Sequence, residues 1–162
     1  MRLVIKCLFV AMYGLGGISY AWPLSNDQEA YAYCITHKDS FIAIVWPIMQ
    51  GHDDKIHKIL NKYGTIKYQK KVLLTPEAAY QLLEAAHYNA GIKNWQQHLE
   101  WYFPPGTFEK MARIFVLKCK DTKTATKCKY AVRNLVDLQY RAIHINDTHD
   151  ETVELARFFF IS

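Results

Sequence analysis

The junction at residues 143–160 constrains this chain most, because a short apolar run passes almost directly into a helix whose start the sequence itself specifies. Thr148 followed three positions later by Glu151 is a capping box. The hydroxyl accepts from the Glu151 amide, and the carboxylate is expected to reach back to the Thr148 amide. An amphipathic helix closing on Phe158, Phe159 and Phe160 follows. His144 lies four residues before the cap, so it is placed beside the positive end of a helix, where amides and the dipole favour an anion such as phosphate. A half-buried histidine with no ligand satisfies the same pattern.

Short β-branched runs and capped helices alternate along the rest of the chain. Residues 22–38 read as an irregular arm, and 41–48 as a buried strand stopped by Pro47. Asp53 or Asp54 caps a helix with Ile56, Ile59, Leu60 and Tyr63 on one face, and Gly64 supplies the stop. A strand is predicted at 65–74. Thr75 then caps a helix with Pro76 in its first position. An aromatic-rich helix at 94–102, a turn at Pro104-Pro105-Gly106, a strand at 113–119, a helix at 127–138 and a strand at 142–145 complete the order. No repeat or internal linker interrupts it. The expected class is α/β in the broad sense, an α+β sandwich of ferredoxin-like kind with a mostly antiparallel sheet covered by helices.

At the N-terminus, Arg2 and Lys6 precede an apolar run from Leu8 to Ile18, with Ser19 and Ala21 at small-residue positions. That is the pattern of a secretory signal, and its apolar core is short for a membrane span. The expected organisation is a signal at 1–21 and one domain at 22–162, secreted or periplasmic, with no transmembrane span after cleavage.

Formal net charge is +5, two units of which belong to Arg2 and Lys6. The remaining lysines are dispersed among aromatics, which argues against a specific nucleic-acid surface. Lys67, Lys70 and Lys71 flank a strand, and Lys118, Lys120, Lys123, Lys127 and Lys129 surround a predicted loop. Such groups form a solvated face, or attract acidic ligands or a membrane surface. Beyond the signal lie Cys34, Cys119 and Cys128. In an oxidising compartment a Cys119–Cys128 bridge across that loop, with Cys34 free, is the expected arrangement.

His144, Asp147 and His149 are all metal-ligand types, but the two residues flanking the cap point in different directions, so no metal site is expected. Cys34 has no neighbouring oxyanion-hole pattern and reads as structural. Asn146-Asp147-Thr148 is formally a glycosylation sequon that conflicts with the capping role of Thr148.

The segment Ile143-His144-Ile145-Asn146-Asp147-Thr148, with its acidic helix closing on aromatics, resembles the nucleoside diphosphate kinase family, where an Ile-His-Gly-Ser-Asp-Ser type sequence stands at this point. The element order from 41 to 160 is similar as well. The resemblance implies a nucleoside diphosphate kinase-like domain with His144 in the position of the phosphoryl-accepting nucleophile. It also implies a ligand pocket formed by Arg133, Arg141, Asn146, Thr148, Tyr88 and Trp95. The ligand it implies is a nucleotide or another phosphate-bearing molecule. Cofactors are none, with Mg needed only if phosphoryl transfer occurs. Four departures stand out. Trp46-Pro47 replaces the family's Lys-Pro, Leu155 occupies the position of the glutamate that orients the histidine, and Glu154 is one residue out of register. The long nucleotide-holding loop has no room between Cys119 and His144, and Arg141 stands where the family keeps asparagine. These losses favour a binding or interaction module with a degenerate kinase-like site over a phosphotransferase acting through His144.

If the N-terminal reading holds, sequencing of the protein exported from its native host begins at or near Trp22. A soluble cytoplasmic product beginning at Met1 overturns it.

Overall fold

The computed structural model describes residues 23–86, 111–136 and 142–161. In chain order these form α1 (Asp27–Thr36), β1 (Ser40–Val45), a 3-10 turn (Pro47–Met49), α2 (Asp53–Tyr63), β2 (Gly64–Leu73), α3 (Pro76–Ala86), β3 (Met111–Cys119), α4 (Thr122–Arg133), β4 (Ile143–Ile145) and α5 (His149–Phe160). Four strands make one sheet in the order β2-β3-β1-β4. Every pairing is antiparallel, with Ile44 opposite both Ile114 and His144. No helix among the described residues is long and apolar enough to cross a membrane.

The sheet is covered on both faces, which explains why β1 is buried at all six positions. Ile42, Ile44, Ile114 and Val116 pack with α1, α3 and α5. Phe41, Ala43, Val45, Phe115 and Leu117 alternate to the other face and pack with α2 and α4. On that face α2 uses Ile56 and Leu60, and α4 uses Ala125, Cys128 and Val132, the i, i+3, i+4 stripe of an amphipathic helix.

The structure corrects several expectations. The arm at 22–38 contains α1, whose cap was legible: Asn26 accepts from the Glu29 amide, and the Glu29 carboxylate accepts from Ser25 N at 2.9 Å. The supposed loop between Cys119 and Cys128 is the start of α4, capped by Asp121, whose carboxylate accepts from Thr124 N at 2.7 Å. Cys119 and Cys128 share one core cluster but, like Cys34, are free buried thiols. Burial pushes the Cys34 and Cys128 thiols up to about 12 and Cys119 to about 11, so none is a ready thiolate. Gly64 ends α2 in an extended conformation. Its lack of a side chain is required by close approach, since a Cβ would meet Lys118 O at 2.7 Å and Cys119 Sγ at 2.9 Å. The signal at 1–21, the helix at 94–102 and the turn at 104–106 lie outside the described residues.

Beyond the end of β4, the fully buried Asn146 carries on the work of the strand with its side chain. Its Oδ1 accepts from Ile42 N at 2.6 Å, and its Nδ2 donates to Thr148 O at 2.7 Å and Thr152 Oγ1 at 2.6 Å. The Thr152 hydroxyl donates in turn to Ser40 O at 3.1 Å. The sequon nitrogen is therefore internal to the fold, where a glycan has no space. Asn146→Ala leaves the Ile42 amide buried without an acceptor, so we expect a loss of roughly 2–4 kcal/mol, read from the urea midpoint at unchanged slope.

Candidate functional site

His144 is the central residue of a three-residue strand, and its direction follows from strand alternation. Ile143 and Ile145 enter the core beneath α2 and α4, so His144 points to the opposite face, toward α5. It is only 6 % exposed. Its Nε2 lies 2.8 Å from Oε1 of Glu151, whose other oxygen, Oε2, accepts from Asp147 N at 2.9 Å. The Glu151 amide donates to Thr148 Oγ1 at 3.2 Å. The capping box thus forms with one change from expectation: the carboxylate reaches the Asp147 amide, and its second oxygen holds the histidine.

Burial acts to raise the Glu151 pKa, but the hydrogen bond and charge of His144 together with the Asp147 amide outweigh it, and the carboxyl lies below its ordinary value. The Glu151 carboxylate therefore holds the imidazole by its Nε2 edge. Leu155 is fully buried in the core, and Glu154 is on the outside paired with Arg157 at 2.7 Å. Neither contacts the imidazole in the way the expected orienting glutamate would. Sequence reasoning sought that acid one helical turn too late, although the capping-box glutamate was its available signal.

The basic residues around the site are engaged. Arg133, on α4, reaches the strand from the layer opposite the His144 ring and donates to Ile143 O from Nε and NH2 at 3.4 and 3.3 Å. It also lies 5.6 Å from the centre of the Tyr130 ring. Lys129, expected on a solvated loop, is buried and donates to Asp147 Oδ1 at 2.7 Å. Its position on the buried stripe with Ala125, Cys128 and Val132 was the signal for this. One strand over, the buried Arg113 stands opposite Val45, ion-paired with Asp53 and donating to Met49 O at 2.9 Å. Trp46, where the resemblance implied a lysine, is fully buried and belongs to the core against Ile44. Of the remaining candidates, Asn146 and Thr148 serve the strand-to-helix junction, while Tyr88, Trp95 and Arg141 lie outside the described residues.

The metal-ligand types do not converge. Asp147 turns to Lys129, His144 Nε2 turns to Glu151, and the described residues hold no cluster of three metal-ligating side chains.

Strand order, antiparallel pairing and the helices on both faces define a ferredoxin-like α+β sandwich of the kind seen in nucleoside diphosphate kinases. The Aquifex aeolicus nucleoside diphosphate kinase, in an orthorhombic crystal form, superposes with a TM-score of 0.54 at 20% sequence identity, covering 76% of this chain and 96% of that one. The apo nucleoside diphosphate kinase of Encephalitozoon cuniculi gives a TM-score of 0.50 at 13% identity, covering 75% of this chain and 88% of that one. At such identities the likeness concerns the fold. No family model matches the sequence, and no curated protein is significantly similar to it.

The lowered pKa of Glu151 sets the sign of a pH effect. A depressed carboxyl contributes stability that is fully present above its unfolded value, near 4.5, and is lost as pH falls through the lower folded value. Glu151→Gln therefore destabilises most near neutral pH, and its deficit against the parent narrows as the solution is acidified below 4.5. Denaturant midpoints along a pH series measure it.

Proposed function

We propose that this chain is a binding module on the nucleoside diphosphate kinase fold, taking a nucleotide or other phosphate-bearing ligand at the His144 edge of the sheet without transferring its phosphoryl group. The fold of its solved neighbours supports the ligand class. One observation carries the rest: the cations nearest the β4 junction already have partners within the protein, Lys129 in Asp147 and Arg133 in the Ile143 carbonyl. Phosphoryl transfer depends on positive charge set against the phosphate oxygens, and a site whose cations are already engaged, one of them by a carboxylate, supplies less of it. The backbone amides at the entry to α5 are in similar use, because Asp147 N donates to Glu151 Oε2 and Glu151 N to Thr148 Oγ1. Binding remains open to the ligand: Asp147 is 60% exposed in its side chain, so an incoming phosphate can replace it on Lys129. The signal pattern at 1–21 supports action outside the cytoplasm, in a periplasm or beyond the cell.

The His144–Glu151 pair favours a second reading, a phosphotransferase working through a phosphohistidine. A carboxylate that fixes the imidazole orients it as a nucleophile would need to be, and Mg would be required to offset charge on the phosphates.

The readings separate on incubation with labelled ATP and magnesium. We expect no acid-labile phosphohistidine, together with a rise in melting temperature on adding phosphate or a nucleotide. Arg133→Ala should reduce that rise more than His144→Gln. Robust labelling abolished by His144→Gln establishes the second reading, and no thermal shift with any phosphate-bearing ligand overturns both.

A further inference from the structure

The helices of the two layers differ in their balance of charge. On one face of the sheet, α1 and α5 carry Asp27, Glu29, Asp150, Glu151 and Glu154 against the single base Arg157. The helices of the other layer carry more lysine than acid, their acids being Asp53 and Asp54 on α2 and Asp121 at the cap of α4. Exposed Lys55, Lys58 and Lys62 project from α2, and exposed Lys120, Lys123 and Lys127 stand at the start of α4 and along it. Lys123 and Lys127 are four residues apart, on the side of α4 away from its buried stripe of Ala125, Cys128 and Val132. Helices α2 and α4 pack side by side, so the two rows belong to one surface.

These six lysines also differ in their partners. Lys70, Arg113, Lys118, Lys129 and Arg157 each meet a carboxylate, whereas none of the six is within ion-pair distance of one among the described residues. With Asp53 taken by Arg113, the six exposed lysines of this layer outnumber its remaining helix acids, Asp54 and Asp121, and leave it an excess of positive charge.

We propose that the α2–α4 face is a docking surface for an anionic phospholipid bilayer. Its chemistry fits lipid better than nucleic acid. The unpaired cations are all lysines, which act as strongly hydrated point charges, and the bidentate guanidinium fork that reads phosphates and bases is missing from the six. They spread over the outer sides of two neighbouring helices, which suits a broad array of headgroups. Tyr130 stands 55% exposed on α4, three residues beyond Lys127, an amphipathic ring suited to the headgroup level. The ligand proposed at the His144 edge draws on Lys129 and Arg133 of the same helix α4 but on none of these six lysines, so reversing Lys58 and Lys123 tests docking apart from that site.

The test is co-sedimentation of the full chain with vesicles of neutral phosphatidylcholine, alone or mixed with phosphatidylglycerol, at low and high salt. We expect binding to the mixed vesicles only, reversed by high salt. At about 1 kcal/mol per lysine near the surface, each cation is worth about five-fold in partition, so Lys58→Glu with Lys123→Glu should lower it by at least about twenty-fold. Lys38→Glu, an exposed reversal outside this face, should change it by less than about two-fold, and melting temperatures confirm that all variants fold. Equal binding to neutral vesicles, insensitive to salt, overturns the proposal in favour of the apolar N-terminal run. An equal effect of Lys38→Glu overturns it in favour of net charge, and inorganic phosphate that competes at low millimolar levels reduces the face to a simple anion site. Tighter, same-lysine binding of a short DNA duplex at matched ionic strength makes it a nucleic-acid surface instead.

Discussion

The Asn146 side chain is the interaction on which the architecture around β4 depends. Strand β4 has only three residues, too few for a ladder to fix its register and the direction of the following helix together. Asn146 supplies what the ladder lacks: one oxygen continues the pairing to β1 at Ile42, and one nitrogen ties the chain to Thr148 and Thr152. Both groups are buried, so a hydrogen bond broken there leaves a desolvated partner, which makes the junction an all-or-none unit. With α5 fixed against the β1–β4 edge in this way, Glu151 arrives at His144 while its second oxygen completes the helix cap.

That economy has a chemical consequence. One carboxylate serves the helix start and the histidine, so the position that would carry a separate orienting acid is released to the core as Leu155. The same substitution of packing for charge occurs at the end of β1, where Trp46 fills space between the sheet and its helices. The buried cations nearby, Arg113 and Lys129, are balanced by Asp53 and Asp147. A buried charge without a partner is costly, and these two buried cations among the described residues are paired internally. Among the described residues, the lysines without a carboxylate partner include the six exposed ones of the α2–α4 layer.

The sequence made much of this legible because caps and stripes are local. Thr75 before Pro76, and Thr148 before Glu151, place helix starts through contacts three residues apart, and both occur as read. The missed helix α1 obeyed the same rule through Asn26 and Glu29. Its apolar contacts, Ala30 and Cys34, are too few for periodicity to announce a helix. The segment between Cys119 and Cys128 misled for a different reason. Its lysines and threonines have the composition of a loop, yet one stripe of Ala125, Cys128, Lys129 and Val132 is buried, and packing overrides propensity.

By itself, then, the sequence determined the elements that begin with a cap or alternate with a clear period, the order in which they follow, and the identity of the junction at His144. It did so because those signals act between neighbours in the chain. Only the tertiary structure decided which face of the sheet His144 takes, that Glu151 is its partner, that Lys129 is buried against Asp147, and that Arg133 approaches from the opposite layer. Each of these depends on how far α4 and α5 lie from the ends of a three-residue strand, a distance set by side-chain packing and by the Asn146 bond to a residue 104 positions away. No local pattern carries that information.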